Sequence, residues 1–352
     1  MKPVLFVTNH APAFRVGAFA ALHEAEDVVF ALVGGDLRHG GASARGELPF
    51  PVIRPSQRGI ARLAASGRFR AVVAGLSGRV ALPGAYLGAR AARVPFVLWA
   101  TIWRHPRTAA HALSYLPLRG LYRHADAIAT YGPHVSAYVR AKGARGPVIE
   151  APQSVDDAFW SASADPARHA PFQAMFAGRL VQEKGVGVLL QAWRTADLAD
   201  AALVVAGDGP LRGSAVGAGA ICAAAPLSPE ALRALYAGSD VVVVPSVGAR
   251  DFLEPWGLVV NEAFGQGVAV IATTAVGAAA GGLVRHERTG LIVPAGDAAA
   301  LAMALARLQA DQALRVRLGA AGRAAVAAGH SHADWARGMS RALAAAGAGS
   351  AP

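Results

Sequence analysis

Two glutamates eight positions apart follow the apolar run 241–245. Gly257 lies between Glu254 and Glu262 and leaves room for a ligand beside the backbone. The pattern predicts a helix from Leu258 to Gln266, whose first N–H groups could bind a phosphate. Glu262 would lie about 7 Å along the axis from that helix start, so the two carboxylates could bind hydroxyl groups on either side of a diphosphate. Two acids alone also fit a plain helix start with one solvated glutamate.

Two cations follow a second predicted strand and a glycine turn. Arg179 and Lys184 stand five positions apart after the apolar end of the strand, Met175 to Ala177. Only three of the chain's 34 basic residues are lysines, and Lys184 is the one lysine after position 150. A guanidinium fork and a compact ammonium suit the two phosphates of a pyrophosphate. Pairing with Glu183 or with the helix surface is the structural alternative.

A third glycine run suggests a different cofactor. Residues 207–213 read Gly-Asp-Gly-Pro-Leu-Arg-Gly. A nicotinamide dehydrogenase would use such a run, but the spacing is one residue longer than the dinucleotide fingerprint. Pro210 also stands where a helix should already be starting. The spacing therefore argues against a dehydrogenase.

The order of these motifs resembles the retaining glycosyltransferases of family four. The resemblance covers most of residues 171–325. It implies the α/β GT-B fold, with two Rossmann-like domains facing across a cleft, the donor on the C-terminal one and the acceptor on the N-terminal one. The motifs that carry it are Gly178-Arg179 to Lys184-Gly185, Leu203 to Pro210, Ser239-Asp240 to Pro245-Ser246, Glu254 to Glu262 and Thr289 to Val293.

Site roles follow from the resemblance. Arg179 and Lys184 would bind the donor diphosphate, Glu262 the ribose and Glu254 the hexose, which makes Glu254 a catalytic candidate. The backbone of Gly257, Leu258 and Val259 would contact phosphate and sugar, and that of Leu227 would lie near the base. In the family's N-terminal domain a Gly-Gly pair often follows the first strand. Here the run is Ala13-Phe14-Arg15-Val16-Gly17, which leaves the donor contact of Gly17 open.

Length and composition are consistent with two domains. The 352 residues, 54% of them hydrophobic, suffice for two cores. We predict an N-terminal domain over residues 1–152, to which a helix at about 331–345 returns, and a C-terminal domain over 153–330. The single Cys222 excludes an intrachain disulfide, and the apolar run after Met1 is too short for a signal peptide. A cytoplasmic location is expected.

Strands and helices alternate in the N-terminal half, which predicts a parallel sheet. Ligands meet such sheets at the carboxyl ends of the strands. Arg15 and Gly17 follow the first predicted strand, as does His10. His105 follows the strand Pro95 to Ala100, and we take it, with His10 as second choice, as the catalytic candidate that contacts the reacting sugar. The predicted strands are Val4 to Val7, Asp27 to Leu32, Ala71 to Ala74, Pro95 to Ala100, Ala125 to Thr130 and Pro147 to Glu150.

Charge is divided unequally along the chain. Residues 1–150 hold 19 basic and 7 acidic residues, a balance of +12, whereas residues 151–352 hold 15 and 16, a balance of −1; the two sum to the +11 of the whole chain. Bases and aromatic rings alternate from Trp99 to Arg123. Such a surface suits an anionic membrane, an anionic acceptor such as a lipid-linked phosphate, or a solvated face. No motif for nucleic-acid binding accompanies the charge.

Three stretches of low charge need separate interpretations. Residues 263–284 carry no charge, but their glycines and threonines favour a helix end, a strand from Val268 to Ala272 and a glycine-rich turn over a membrane span. The Ala/Gly-rich stretch 213–225 is predicted to be a loop. The last residues, 342–352, are predicted to be a frayed tail.

Together the residues and the resemblance predict a retaining hexosyltransferase. It would move a sugar from a nucleotide-diphosphate sugar to a hydroxyl acceptor, in polysaccharide or glycolipid synthesis. We expect no cofactor and no metal ion beyond the nucleotide sugar itself. Two alternatives stay open: a nucleotide-sugar epimerase of the same architecture, and a catalytically silent sugar-nucleotide-binding protein. Retention of both glutamates favours the enzyme.

Overall fold

The computed structural model describes residues 2–34, 46–76, 78, 80–223 and 226–349, without the side chains of Ala109 and Ala110. It divides into two compact units. Unit 1 runs to Asp156 and takes in the segment from Ser331 onward, whereas unit 2 extends from Asp157 to His330. The division thus falls four residues after the predicted end of the N-terminal domain at 152.

Unit 1 is built on a parallel sheet of seven strands among the described residues. Apolar runs rich in valine form its central strands because both faces of a parallel sheet are buried. The strand order is β3-β2-β1-β4-β5-β6-β7. The strands are β1 Val4–Thr8, β2 Val28–Leu32, β3 Val52–Ile53, β4 Ala71–Gly75, β5 Phe96–Ala100, β6 Ala127–Thr130 and β7 Val148–Glu150.

Helices join these strands, and one returns from the end of the chain. That returning helix begins with a capping box, in which Ser331 and Asp334 exchange side-chain and backbone hydrogen bonds. Its Trp335 is fully buried, with its ring 5.7 Å from that of Phe19. This contact ties the last helix to the first. The helices are α1 Ala13–Glu26, α2 Ile60–Ala64, α3 Ala81–Ala92, α4 Ala109–His124, α5 Pro133–Ala141 and, after the helices of unit 2, α14 His332–Ala345.

Unit 2 has a second parallel sheet, of six strands in the described part of the chain. Its strand order is β10-β9-β8-β11-β12-β13. The order reverses beside β8, so that β8 and β11 are neighbours, and ligands of such sheets bind where the order reverses. The strands are β8 Phe172–Ala177, β9 Ala201–Ala206, β10 Ile221–Cys222, β11 Val241–Val244, β12 Ala269–Thr273 and β13 Leu291–Val293.

Helices cover the sheet of unit 2, and their apolar faces complete its core. Leu189 and Leu190 of the helix after β8 pack into the same cluster as Leu301 and Leu305 near the end of the unit. A short 3-10 helix, Gln182–Lys184, lies between β8 and the α-helix that follows it. The helices are α6 Asp157–Ser161, α7 Val186–Ala196, α8 Arg212–Gly217, α9 Pro229–Ala237, α10 Val259–Gly265, α11 Gly277–Ala280, α12 Ala298–Ala310 and α13 Gln312–Ala327.

The predicted α/β class is confirmed, and the six predicted strands of the N-terminal half lie within two residues of observed ones. Two local predictions are wrong. The stretch 213–225 is not a loop in its described part, because it contains most of α8 and all of β10, with Ala215 buried in the core. The tail starting at residue 342 is not frayed there: α14 continues to Ala345, with Ala342 and Leu343 buried.

The uncharged stretch 263–284 is not a membrane span. It contains the end of α10, all of β12 and the short α11. The predicted helix end and strand are therefore confirmed, whereas the predicted glycine-rich turn contains the one-turn helix α11. Throughout the described residues, no helix has the length and apolar character needed to cross a membrane.

Gly185 fixes the turn between β8 and α7. Its φ of +72° lies in the left-handed region, and a Cβ at this position would lie 1.9 Å from the carbonyl oxygen of Pro245. The neighbouring Glu183 accepts a backbone hydrogen bond from Val247 at 3.0 Å. The segment after β8 therefore packs directly on the segment after β11.

We predict that Gly185→Ala lowers the stability of the protein by at least about 2 kcal/mol. An alanine is strained in the left-handed backbone conformation of this position, and its methyl group would also clash with the Pro245 carbonyl. Gly187→Ala, two residues further on, is the matched control. It lies in α7, and a Cβ at this position would meet no atom within 4 Å, so alanine should stabilise the protein by about 0.5–1 kcal/mol. Calorimetric unfolding measures both, and equal effects of the two substitutions would contradict the packing argument.

Candidate functional site

The loop after β8 lies on the loop after β9. Gly178 N–H donates to Ala206 O at 2.9 Å, and a Cβ on Gly207 would lie 1.9 Å from Gly178 O. A Cβ on Gly209 would likewise lie only 2.6 Å from Leu180 O. These close approaches explain two of the glycines in the run 207–213. That run packs two loops together, which removes the reason to interpret it as a dinucleotide fingerprint.

Lys184 and Glu254 meet, although they stand seventy positions apart. Lys184 Nζ donates to Glu254 Oε2, and Ser246 Oγ donates to the same oxygen at 3.2 Å. Lys184 Nζ also lies 5.4 Å from the centre of the Phe252 ring. The Glu254 side chain is 9% exposed and that of Lys184 is 21% exposed. The structure therefore brings together the two residues for which the resemblance implies contacts with the diphosphate and the hexose.

Arg179 stays outside this pair. Its Nη2 lies 3.2 Å from Glu183 Oε1, and its side chain is 44% exposed. This is the pairing that the sequence offered as a structural alternative. An ion pair this exposed contributes little to stability, so Glu183 does not hold the guanidinium firmly in place.

The backbone from Glu254 to Val259 is fixed from both sides. Gly257 has φ +94°, and a Cβ there would lie 3.2 Å from Val276 Cγ1. Gly277 N donates to Glu254 O at 3.1 Å, and Trp256 Nε1 donates to Asn261 Oδ1 at 2.7 Å. Leu258 and Val259 follow as the first residues of the helical segment and are half-buried. Helix α10 itself has seven residues and is one residue shorter at each end than predicted.

Glu262 lies one turn into α10, opposite a buried tyrosine. Tyr236 Oη of α9 donates to Glu262 Oε2 at 2.6 Å. Burial raises the pKa of Glu262 to about 7, although the tyrosine hydrogen bond acts in the opposite direction. Burial also raises the pKa of Tyr236, with the neighbouring carboxylate adding to the effect. Glu262 therefore changes charge near neutral pH.

Leu227 is half-buried just before α9. The following residue, Ser228, caps that helix by accepting a hydrogen bond from Ala231 N at 3.2 Å. The structure thus places Leu227 at the start of the helix that carries Tyr236. Its predicted contact with a base stays a prediction.

In unit 1, Gly17 has a packing role. It lies in α1, and a Cβ there would lie 2.4 Å from the ring of His332. That ring in turn hydrogen-bonds Ser154 Oγ through Nδ1 at 3.1 Å. The glycine therefore accommodates the first residue of the returning helix, and its predicted donor contact stays a prediction. His10, the second choice, is half-buried just after β1.

His105 follows β5, as predicted, but one of its ring nitrogens is already occupied. Nε2 donates to the carbonyl oxygen of His111 at 2.7 Å, which leaves Nδ1 as the nitrogen that could meet a ligand. Nδ1 is buried without a hydrogen-bond partner. The ring packs edge-on against Tyr115, at 5.1 Å between centres.

Sequence reasoning missed the polar partners of both glutamates. Ser246 belongs to one of the motifs of the resemblance, but no role was assigned to it there. It is the second residue after the end of β11, where parallel sheets place ligand contacts, and this position could have identified it. Tyr236 gives no such signal because it is an ordinary buried residue of α9. Among residues the structure describes, no group of three His, Cys, Asp or Glu side chains could hold a metal ion.

Comparisons with known sequences agree with the motifs of unit 2. Residues 171–311 match the family model described as glycosyl transferases group 1. The D-inositol 3-phosphate glycosyltransferase of Pseudarthrobacter chlorophenolicus is 35% identical over 183 residues, which are 47% of this chain and 40% of that protein. The chain thus spans about two fifths of the length of this curated relative.

Solved structures resemble the whole chain. Anabaena HepE in complex with UDP and glucose has a TM-score of 0.72 and 16% identity, over 98% of this chain and 100% of that one. Sucrose-phosphate synthase from Thermosynechococcus elongatus has a TM-score of 0.73 and 18% identity, over 97% and 98% of the two chains. At these identities the likeness shows the fold alone, which is the GT-B fold that the sequence predicts.

Proposed function

We propose that this protein is a glycosyltransferase that moves a hexosyl group from a nucleotide-diphosphate sugar to a hydroxyl acceptor. The observation that carries the proposal is the meeting of Lys184 and Glu254 beyond adjacent strands β8 and β11. A cation for the phosphate and a carboxylate for the sugar hydroxyls then lie side by side where parallel sheets bind ligands. The family match over residues 171–311 supports the same assignment, and so does the neighbour in fold whose complex contains UDP-glucose.

The residues of unit 2 then divide the work. Breaking the anomeric bond leaves negative charge on the diphosphate, which Lys184, Arg179 and the backbone of Gly257, Leu258 and Val259 would stabilise. Glu254 would accept hydrogen bonds from the hexose, and Glu262 from the ribose. With two cations for the leaving group, the proposal needs no cofactor. Retention of anomeric configuration, with the leaving phosphate helping to deprotonate the acceptor, follows from the resemblance to family four.

Unit 1 would supply the acceptor side, with Nδ1 of His105 as its candidate contact to the reacting sugar. Two other functions use the same residues. An epimerase would turn over the nucleotide sugar without any acceptor, whereas a silent binding protein would bind it without turnover. Nucleoside diphosphate release that depends on added acceptor separates the transferase from both.

We predict that Lys184→Ala and Arg179→Ala each lower turnover on the order of 100-fold, because each removes a charge that stabilises the leaving diphosphate. The measurement is acceptor-dependent release of nucleoside diphosphate from whichever nucleotide sugar gives the largest thermal shift. Arg194→Ala, an exposed cation of α7, is the matched control and should keep wild-type turnover. Circular dichroism verifies that each variant is folded. Wild-type rates in both site variants would exclude the assignment.

The raised pKa of Glu262 predicts a pH dependence of nucleotide binding. The ionised carboxylate accepts two hydroxyl hydrogen bonds better than the neutral acid does, and its fraction grows as pH rises through about 7. We therefore predict that UDP binds more tightly at pH 8 than at pH 6. Glu262→Gln should bind UDP more weakly and should lose this pH dependence. Because UDP itself titrates in this range, the pH series of the variant is the control for that titration.

The same pKa fixes the sign of a stability change. Its folded value lies above the ordinary carboxyl value of 4.5, so the folded state holds the proton more tightly. This contribution is complete below about pH 4.5 and is lost as pH rises through about 7. Calorimetric unfolding of the full chain should thus show a loss of stability over this range, and Glu262→Gln should abolish that loss. A wild-type profile that matches the profile of Glu262→Gln would contradict the raised pKa of Glu262.

We further propose a cytoplasmic protein that docks on an anionic membrane through α4. Leu113 is 84% exposed and Leu116 71% exposed, and helical spacing places Arg119 and Arg123 beside them on one exposed face. Leucines at the acyl boundary with arginines at the headgroups are typical of interfacial helices. The other two arginines of the basic stretch, the half-buried Arg104 and the exposed Arg107, border a cavity.

We predict that the protein floats with anionic vesicles but not with neutral ones, and is released by high salt. Each arginine near the surface contributes about 1 kcal/mol, so Arg119→Gln with Arg123→Gln should reduce binding by at least about tenfold. The matched control is Arg104→Gln with Arg107→Gln, which removes the same charge from the cavity. Equal losses in the two double variants would show a general charge effect and not docking through α4.

A further inference from the structure

A cavity of about 620 Å³ lies between the segment after β5 and helices α4 and α5 of unit 1. Arg104, Arg107 and Lys142 line it, together with His105 and the rings of Trp103 and Tyr138. None of the described residues that line it is an acid. Its volume is that of an ordinary small-molecule site, and its charge is positive.

Within the described part of unit 1, the ammonium group of Lys142 contacts two tyrosines and not a carboxylate. Its Nζ donates to Tyr115 Oη at 3.1 Å and lies 5.2 Å and 5.4 Å from the ring centres of Tyr115 and Tyr138. Cation–π contacts orient an ammonium without neutralising its charge. The positive potential therefore remains available to an anion in the cavity.

Two lining residues hold buried polar atoms without hydrogen-bond partners. They are His105 Nδ1 and Tyr138 Oη. Buried polar groups are nearly always paired, because an unpaired one costs about 1–3 kcal/mol. Burial, with a smaller effect of the nearby Tyr115, raises the pKa of Tyr138 to about 12, so its hydroxyl stays protonated and can donate. A bound acceptor of hydrogen bonds would satisfy it.

We propose that this cavity binds a phosphate monoester carried on a sugar-sized ring. The phosphate oxygens accept from Lys142, Tyr138 and the guanidinium groups of Arg104 or Arg107, whose forks match phosphate geometry. The ring packs against Trp103 and Tyr115, since aromatic faces suit the apolar C–H face of a sugar. Identification of this ligand as the glycosyl acceptor rests on the proposed function, whereas the binding site itself does not.

Calorimetric titration of the full chain tests the site with glucose 6-phosphate, with glucose as its neutral match and with inorganic phosphate. The expected order is glucose 6-phosphate tightest, with glucose and inorganic phosphate each at least about tenfold weaker, because each lacks one half of the ligand. Equal affinity for glucose and glucose 6-phosphate, or binding of neither, would overturn the proposal.

Two variants test the assigned residues. Lys142→Gln and Tyr138→Phe should each weaken glucose 6-phosphate by about tenfold, the usual loss of one hydrogen bond to a charged group. Tyr138→Phe keeps the ring and deletes only an unpaired hydroxyl, so it remains informative if Lys142→Gln folds poorly. Arg62→Gln, at an exposed position of α2, is the charge-matched control and should leave the affinity unchanged. Losses as large in Arg62→Gln would contradict a site in the cavity.

A lipid could supply the same phosphate monoester, and vesicles of phosphatidic acid separate the two sources. The proposal expects Lys142→Gln to leave flotation with these vesicles unchanged. Two results together would overturn the proposal of a ring-bearing ligand: the wild type does not bind glucose 6-phosphate, and Lys142→Gln abolishes flotation with these vesicles. UDP affinity is measured in parallel: its persistence in Lys142→Gln confines the effect to the cavity, and failure of the wild type to bind UDP would count against the proposed function alone.

Discussion

The ion pair of the half-buried Lys184 with the buried Glu254 is the interaction on which the candidate site depends. Loss of the lysine would leave a carboxylate that is 9% exposed without this cation, which costs more than the loss of a surface ion pair. The surrounding backbone is arranged to bring them together. Gly185 allows the segment after β8 to approach Pro245, and Gly277 N–H binds the carbonyl of Glu254. A ligand that engages both side chains would therefore meet groups already in place.

Unit 1 holds two of its cations against aromatic rings, although Arg70 and Arg90 pair with the carboxylates of Glu26 and Asp126. Arg15 is buried against the rings of Trp99, Tyr131 and Trp335, with Gln153 as a neutral acceptor, and its burial lowers its pKa. Lys142 is likewise held by tyrosines. Aromatic rings position such charges but leave them uncompensated. Among the residues that the structure describes, part of the positive charge in residues 1–150 is thus held without a carboxylate partner, and Lys142 presents it to a cavity where an anion could bind.

What the sequence could predict follows from how local each signal is. The valine-rich strands β1, β4 and β11 are evident from continuous apolar runs, because parallel strands are buried on both faces. Strand β3 has only two residues, and α8 lies in an Ala/Gly-rich stretch, so neither gives a periodic signal. The contact of Lys184 with Glu254 spans seventy positions and depends on the order of strands. Tyr236 became the partner of Glu262 only through the packing of α9 beside α10.

The account is tested most directly by the affinity for UDP, which lacks the hexose, in two single variants. If Lys184 binds the diphosphate and Glu254 binds only the hexose, Lys184→Gln must lower the affinity for UDP by about tenfold or more. Glu254→Gln must strengthen it, since it removes a carboxylate that both repels the phosphates and shares the lysine. Calorimetry of the two folded variants beside the wild type gives both signs. An unchanged affinity in Lys184→Gln, or a weakened one in Glu254→Gln, would contradict the division of roles between the two residues.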